Sequence, residues 1–423
     1  MSRAPDRAGR QPVVVSGSGV VSPIGVGLGA FAEALFAGRS AVRAHAVDLP
    51  GLEVPIVPIA AVAGAAFDAG SVSAPSRLPL DRATAMALVA AEEAARQAAL
   101  AIDDVDGERL GIFWGSGMAG ATTFEQTCRT VYADRRRMRP TSVITTMPNA
   151  PTAELALRFR ARGAALAYAC ACASSAVAIG EAMRAIRAGW IDVAIAGGSE
   201  SLLTPGVVAS WQAMRVLAPL RAPCDDAAAA RACRPFAADR AGFALGEGAA
   251  AFVLESAEHA RARNTAALWH LAGYATNCDG VHITNPDAAG QTRAMRAALA
   301  DAGLTPADIG HVNAHGTATL AGDAAEAASI ATVFCARGVP VTSTKAIHGH
   351  LLGAGGAVEL LASACALVAQ RLPPTANTGS VDPSFAIDVV TGATRPAHTL
   401  RHAMSSSFAF GGTNAVLIAS RAG

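Results

Sequence analysis

Two spacings of apolar residues alternate along the chain. Short β-branched or unbroken apolar runs end in Gly/Ser turns, and longer stretches between them carry apolar residues three or four apart. Pro12–Pro23 (PVVVSGSGVVSP), Arg109–Gly115 and Ile191–Gly197 have the first pattern and predict strands. Leu28–Ala37 and Asp81–Ala99 have the second and predict helices. About Ser174–Ala188 predicts another helix, with Ala176, Ile179, Met183 and Ile186 on one face and Gly189 placed to end it. The second half repeats the rhythm. Ala251–Glu255, Ala267–Tyr274, Ile309–His315, Pro340–Ser343, Ile387–Val390, Ala403–Phe408 and Ala415–Ala419 read as strands, with helices over Gln291–Ala302 and about Leu351–Gln370. Alternating strands and helices predict an α/β fold, and two halves with the same rhythm predict duplicated layers. The boundaries read as a loose tail over 1–11, a first half over 12–265 and a second over 266–423. Ala222–Arg231, rich in alanine and aspartate, reads as a loop.

Composition narrows the class. The chain has 423 residues, 52% hydrophobic and 16% charged, enough for a large interior and for further apolar surface covered by oligomerising. A formal net charge of +1 points to neither nucleic acid nor a membrane surface. The polar start is not followed by a signal-peptide core, and the apolar run Pro55–Phe67 is short and contains Pro58. A soluble cytoplasmic protein is therefore expected. The 8 cysteines are scattered without a disulfide framework.

Candidate chemistry concentrates in YACACASSAVAIGEAMRAIRAG, Tyr168–Gly189, where Cys170 and Cys172 precede a helix start. A metal site would join them to His348 and His350, but C-x-C with H-x-H lacks zinc spacing. A buried cysteine commonly behaves as a small hydrophobe, which suits Cys170 on the strand side. Cys172 lies closer to the helix start, where unpaired N–H groups and the macrodipole favour a thiolate. Small residues after it would let a substrate reach the backbone. Two histidines sit where loops leave strands: His315 in VNAHGTAT and His350 in STKAIHGHLLGAGGAVE, the latter flanked by Lys345 and Glu359. His348 is expected to point elsewhere.

Five blocks occur in order: ACASSAVAIGEA…DVAIAGGSES, RPFAADRAGFALGEGAA, NAHGTATLAGDAAEA, STKAIHGHLLGAGGAVE and SSFAFGGTNA. Together they resemble the elongating β-ketoacyl-[acyl-carrier-protein] synthases over about residues 12–420. The resemblance implies the thiolase fold, two similar α/β halves in five αβαβα layers. It also implies a homodimer, or a heterodimer with a second ketosynthase-like subunit, and an acyl carrier protein as partner. No metal or organic cofactor is implied. It makes Cys172 the acyl-accepting nucleophile and His315 and His350 the pair for the second step, with Lys345 and Glu359 in support. Phe410 becomes a gate, with Phe408 close by, and the backbone N–H groups of Cys172 and Phe410 an oxyanion hole. Thr317 and Thr319 would bind the pantetheine arm, as would Thr284 in VHITNP.

Departures from the pattern carry information. Phe124, in SGMAGATTFEQ, stands where a smaller aliphatic residue is expected; it either reshapes the acyl pocket or is ordinary core. Arg135–Arg136–Arg137, within Arg129–Arg139, either steers an acidic carrier protein or is a solvated face. Fatty-acid elongation, polyketide synthesis and aryl polyene synthesis all stay open as the pathway, and Ser174–Ser175 hints at a specialised branch. A biosynthetic thiolase is the first alternative, but the tail FAFGGTNAVLIAS lacks the late cysteine of that group. A non-catalytic partner subunit (a chain-length factor) is the second, opposed by the presence of Cys172, His315 and His350.

Overall fold

The computed structural model describes residues 13–49, 51, 55–220 and 224–422, so the expected tail at 1–11 lies outside the described residues. The first half contributes strands β1 (Val13–Ser22), β2 (Leu110–Gly115), β3 (Ala165–Tyr168), β4 (Val193–Glu200) and β5 (Gly248–Glu255). The second contributes β6 (Trp269–Cys278), β7 (His311–Asn313), β8 (Pro340–Thr342), β9 (Asp388–Val389), β10 (His402–Phe408) and β11 (Thr413–Arg421). The main helices are α1 (Arg82–Gln97), α2 (Ala121–Tyr132), α3 (Ala150–Phe159), α4 (Ser174–Arg187), α5 (Pro205–Ala213), α6 (Ala288–Ala302), α7 (Leu320–Phe334) and α8 (Gly355–Ala369).

Duplication is written in the strand order. The first half runs β3-β2-β4-β5-β1 and the second β8-β7-β10-β11-β6, with β9 added beyond β8. In both, the order by position within the half is third, second, fourth, fifth, first. In both, the first three of these are parallel and the last two antiparallel. The half-sheets join where Val13–Val15 of β1 pairs antiparallel with Trp269–Leu271 of β6.

Both faces of each half-sheet are covered, which is why β1 is buried along its whole length and reads as an unbroken apolar run. α1 packs on β1 and β5 with α3 beside it, and α6 packs on β6 and β11 with α7 beside it. Between the half-sheets lie α4 and α8, the helices that follow the third strand of each half, packed on each other. Five layers result, with one apolar cluster on each outer face and one around the central helices. Close approach requires glycine there: a Cβ at Gly356 of α8 would lie 2.8 Å from the Ala176 Cβ of α4.

Several expectations change. Among the described residues, Leu352–Ala369 is long and apolar enough to cross a membrane, and 83% of it is buried as the central helix, while Pro55–Phe67 is short as expected. The loop expected over Ala222–Arg231 contains one helical turn, Asp226–Ala230, capped by the Asp225 side chain; 221–223 lie outside the described residues. β3 and the helices α2, α3, α5 and α7 were not predicted by the apolar spacing.

Candidate active site

Cys172 sits in a single 3-10 turn, Ala171–Ala173, between the end of β3 and the start of α4. Ser174 fixes that turn from inside. Its hydroxyl accepts the Cys170 N–H at 2.9 Å and donates to the Ala171 carbonyl at 2.7 Å. Ala171 is held at φ 47°, a strained conformation for a residue with a side chain, directly before the nucleophile candidate. Cys170 lies just past the strand and is half-buried against the central cluster. The small residues of the helix start serve packing rather than substrate access. Ser174 and Ser175 are buried, a Cβ at Gly115 of β2 would collide with the Ser174 backbone, and one at Gly198 of β4 would meet the Ser175 side chain at 2.5 Å.

The two histidines arrive from the second half. His315 follows β7, and the N–H groups of His315 and Gly316 both donate to the Glu326 carboxylate of α7, each at 2.7 Å. His350 follows β8 and the turn Lys345–His348. It is stitched to the first half: its N–H donates to the Ala244 carbonyl at 2.7 Å and its carbonyl accepts from Gly246 at 2.9 Å. His350 Nε2 lies 3.1 Å from Cys172 Sγ. The imidazoles of His315 and His350 are 5.3 Å apart at 82°, and the ligand-type atoms of the three residues all lie within 4.8 Å of one another. His348, as expected, turns away, with its ring held between Gly349 and Thr344.

Lys345 and Glu359, both fully buried, form an ion pair beneath His315. The Lys345 ammonium donates to His315 Nδ1 at 3.3 Å. That places the ring proton of neutral His315 on Nε2. His350 Nδ1 has no partner among the described residues, so only the contact of Nε2 with Cys172 bears on its tautomer. The three-atom cluster resembles a metal site in spacing, but the buried ammonium beside it opposes a dication.

Burial dominates the titration of the site. The His315 and His350 pKa values lie well below the ordinary imidazole value, first through desolvation and then through the Lys345 charge, so both rings are neutral. Burial pushes the Cys172 thiol up to about 12, with Lys345 and its own backbone N–H pulling the other way. Burial therefore works against the expected thiolate, although the sulfur is at a helix beginning, and His350 Nε2 stands within reach of its proton.

A cavity of about 310 Å³ opens from Cys172, His315 and His350 to the surface. Thr317, Thr319, Thr284, Phe408 and Phe410 all line it. The Thr317 and Thr319 hydroxyls are 2.9 Å apart. Neither the Cys172 nor the Phe410 amide is engaged by a backbone carbonyl among the described residues, as an oxyanion hole requires. Phe124 is the exception. It is not among the cavity's lining residues and is 61% exposed, because α2 begins at Ala121 and turns this residue outward. Sequence reasoning missed Trp211, Phe243 and His282, which also line the cavity. It also missed Glu326, although that residue lies inside the quoted NAHGTATLAGDAAEA block.

Comparison with known proteins agrees with this geometry. The Beta-ketoacyl synthase, N-terminal domain family matches residues 10–260, and the Beta-ketoacyl synthase, C-terminal domain family matches 268–379. Nodulation protein E of Rhizobium meliloti (strain 1021) is 37% identical over 411 residues, covering 96% of this chain and 98% of that protein. The 3-oxoacyl-[acyl-carrier-protein] synthase 2 of Staphylococcus aureus (strain N315) is 37% identical over 344 residues, covering 80% of this chain and 81% of that one. Among solved structures, the ishigamide ketosynthase/chain length factor superposes with a TM-score of 0.88 at 31% identity, covering 98% of this chain and 100% of that one. The chain belongs to the β-ketoacyl synthase family: it is an elongating ketosynthase of the thiolase fold, an acyltransferase that forms carbon–carbon bonds.

Proposed function

We propose that Cys172 carries the growing acyl group and that His315 and His350 drive its condensation with a malonyl unit delivered by an acyl carrier protein in the cytoplasm. The observation that carries the reading is the approach of His350 Nε2 to Cys172 Sγ at 3.1 Å, with His315 Nε2–H set by Lys345 beside it. In the first half-reaction the sulfur attacks the thioester carbonyl while its proton passes to His350. The tetrahedral oxyanion accepts the amides of Cys172 and Phe410, each donor contributing on the order of 3 kcal/mol. The carrier thiolate leaves and takes the proton, and acyl-Cys172 remains.

In the second half-reaction the malonyl carboxylate departs as CO2 and its electron pair forms a thioester enolate. The enolate oxygen accepts from His315 Nε2–H and from His350, whose unfixed tautomer allows it to donate here after accepting earlier. The enolate carbon attacks acyl-Cys172, and collapse expels the cysteine thiolate, which takes from solvent the one proton the condensation consumes. Neutral rings suit this role because a neutral N–H can stabilise the oxyanion without protonating the carbon nucleophile. Thr317, Thr319 and Thr284 line the path for the pantetheine arm, and Phe410 gates it against water.

A carrier protein is named in the synthase 2 relative, and a two-part ketosynthase assembly in the ishigamide structure. We extend both to this chain. β3 is an edge strand with exposed side chains from Ala165 to Ala167, and beside it stand exposed Phe124, Ile144 and Leu157. A second ketosynthase-type subunit, identical or not, covers this apolar face. Phe124, turned outward, then belongs to that covered face rather than to this chain's own cavity. Incubation with a panel of acyl carrier thioesters, followed by intact-mass and peptide mass spectrometry, should find the acyl group on Cys172. Acylation elsewhere, or none with any donor, would sink the assignment.

A further inference from the structure

We propose that Trp211 is the rest on which the Phe410 gate closes, a positioning residue that governs how long an acyl group survives on Cys172. The inference rests on the reading of Phe410 as a gate. Phe410 stands on the turn Ala409–Gly412, whose backbone is held by three hydrogen bonds: Ala409 N–H to the Thr413 carbonyl (2.8 Å), Gly412 N–H to Ala409 (3.1 Å) and Gly411 N–H to Ile283 (2.7 Å). Gly411 and Gly412 adopt φ values of 86° and 77°, open to few other residues. These bonds fix the backbone around the ring but not the ring itself.

The ring is held by an indole from the other half of the molecule. Trp211, on α5, stacks on Phe410 with centroids 6.2 Å apart and planes at 18°. On its other side Trp211 meets Phe243 edge-on at 5.8 Å, and Phe243 meets the His350 imidazole edge-on at 5.1 Å. Gate, indole, phenylalanine and catalytic imidazole thus form one series of rings, and all four line the cavity. An acyl chain entering past Phe410 opens the stack, which re-forms when the gate closes behind it. A chain seated against the half-buried indole changes the ring's surroundings while that stack stands. Trp211 therefore favours closure after acylation and discriminates among chains. A stack of this kind shifts an equilibrium by roughly threefold to tenfold.

The test uses the full-length protein, with Trp211→Leu filling the space without stacking and Trp211→Phe preserving a stacked ring. Each is loaded from an acyl carrier thioester, and the loss of acyl-Cys172 to water is followed by intact mass. Trp211→Leu should hydrolyse threefold to tenfold faster than the unaltered protein, and Trp211→Phe should restore most of the difference. Acylation should also change the tryptophan emission of the unaltered protein and leave that of Trp211→Phe unchanged, since Trp114 and Trp269 are buried in the sheets and the exposed Trp190 also lies outside the cavity lining. Equal hydrolysis rates in all three would overturn the proposal, as would an emission change that is absent or that persists in Trp211→Phe. If Trp211→Leu does not fold, the emission comparison decides alone. Failure of the unaltered protein to acylate Cys172 at all would strike instead at the function proposed above.

Discussion

At the scale of residues, the site depends on a buried ammonium. Lys345 orients His315 through Nδ1 and lowers the pKa of Cys172, His315 and His350 together. Lys345→Ala removes that charge, so all three values rise and Glu359, left without its partner, takes up a proton. In the unaltered protein the imidazoles titrate well below 6.5, so the acid limb of the acylation rate lies below that pH. In the variant the limb should move up toward the ordinary imidazole value, because one of the two causes that lower it is gone. Rates measured from pH 5 to 9 check this; a uniform loss at every pH would mean that Lys345 only supports the fold. The sequence made Cys172, His315, His350, Lys345 and Glu359 legible because each sits in a short block with fixed neighbours. It did not show how strongly burial works against a thiolate, because desolvation is a property of everything packed around Cys172. Trp211 was hidden for a related reason: its role exists only where α5 meets the turn of Phe410.

At the scale of elements, the nucleophile turn is positioned by the close seating of α4 on β2 and β4. Gly115 has no room for a methyl group against the Ser174 backbone. Gly115→Ala should cost about 1–3 kcal/mol of stability, and should reduce acylation beyond what the fraction unfolded explains. Gly29, near the start of helix Leu28–Ala37, has nothing within 4 Å of where a Cβ would stand, and Gly29→Ala should be neutral or slightly stabilising. Denaturant melts and acylation rates of the two variants make the comparison; equal stability would show that α4 can shift without penalty. The predicted bounds of α4 agree with the structure to within a residue because its apolar face and Gly189 mark both ends. α2 escaped notice because its opening ATTFEQT is threonine-rich and carries little helical propensity. β3 escaped because its four residues, ALAY, are half alanine and carry little strand propensity.

At the scale of the whole molecule, the two halves supply different parts of the candidate site. The first brings the sulfur and the second the imidazoles, and the segment Ala244–Gly246 ties His350 across the boundary. The duplicated rhythm was legible in the sequence; the identical strand order of the halves was not, since it depends on pairings between strands far apart in the chain. Carrier-protein docking belongs to this scale as well. Arg135, Arg136 and Arg137 are all exposed beyond the end of α2. Reversing the three to glutamate should raise the carrier-protein KM roughly tenfold at low salt with kcat little changed, and the effect should shrink as salt is added. An unchanged KM would leave the run a solvated face.

The central claim is that one cysteine holds the acyl group while two neutral imidazoles stabilise the enolate that attacks it. The most direct measurement is release of labelled CO2 from malonyl-carrier protein by acyl-loaded enzyme, compared between the unaltered protein and His315→Ala. The account predicts that His315→Ala still forms acyl-Cys172 but releases CO2 at least a hundredfold more slowly, on the order of one lost oxyanion donor. CO2 release at the unaltered rate from His315→Ala, or release with no β-ketoacyl product from the unaltered protein, would contradict it.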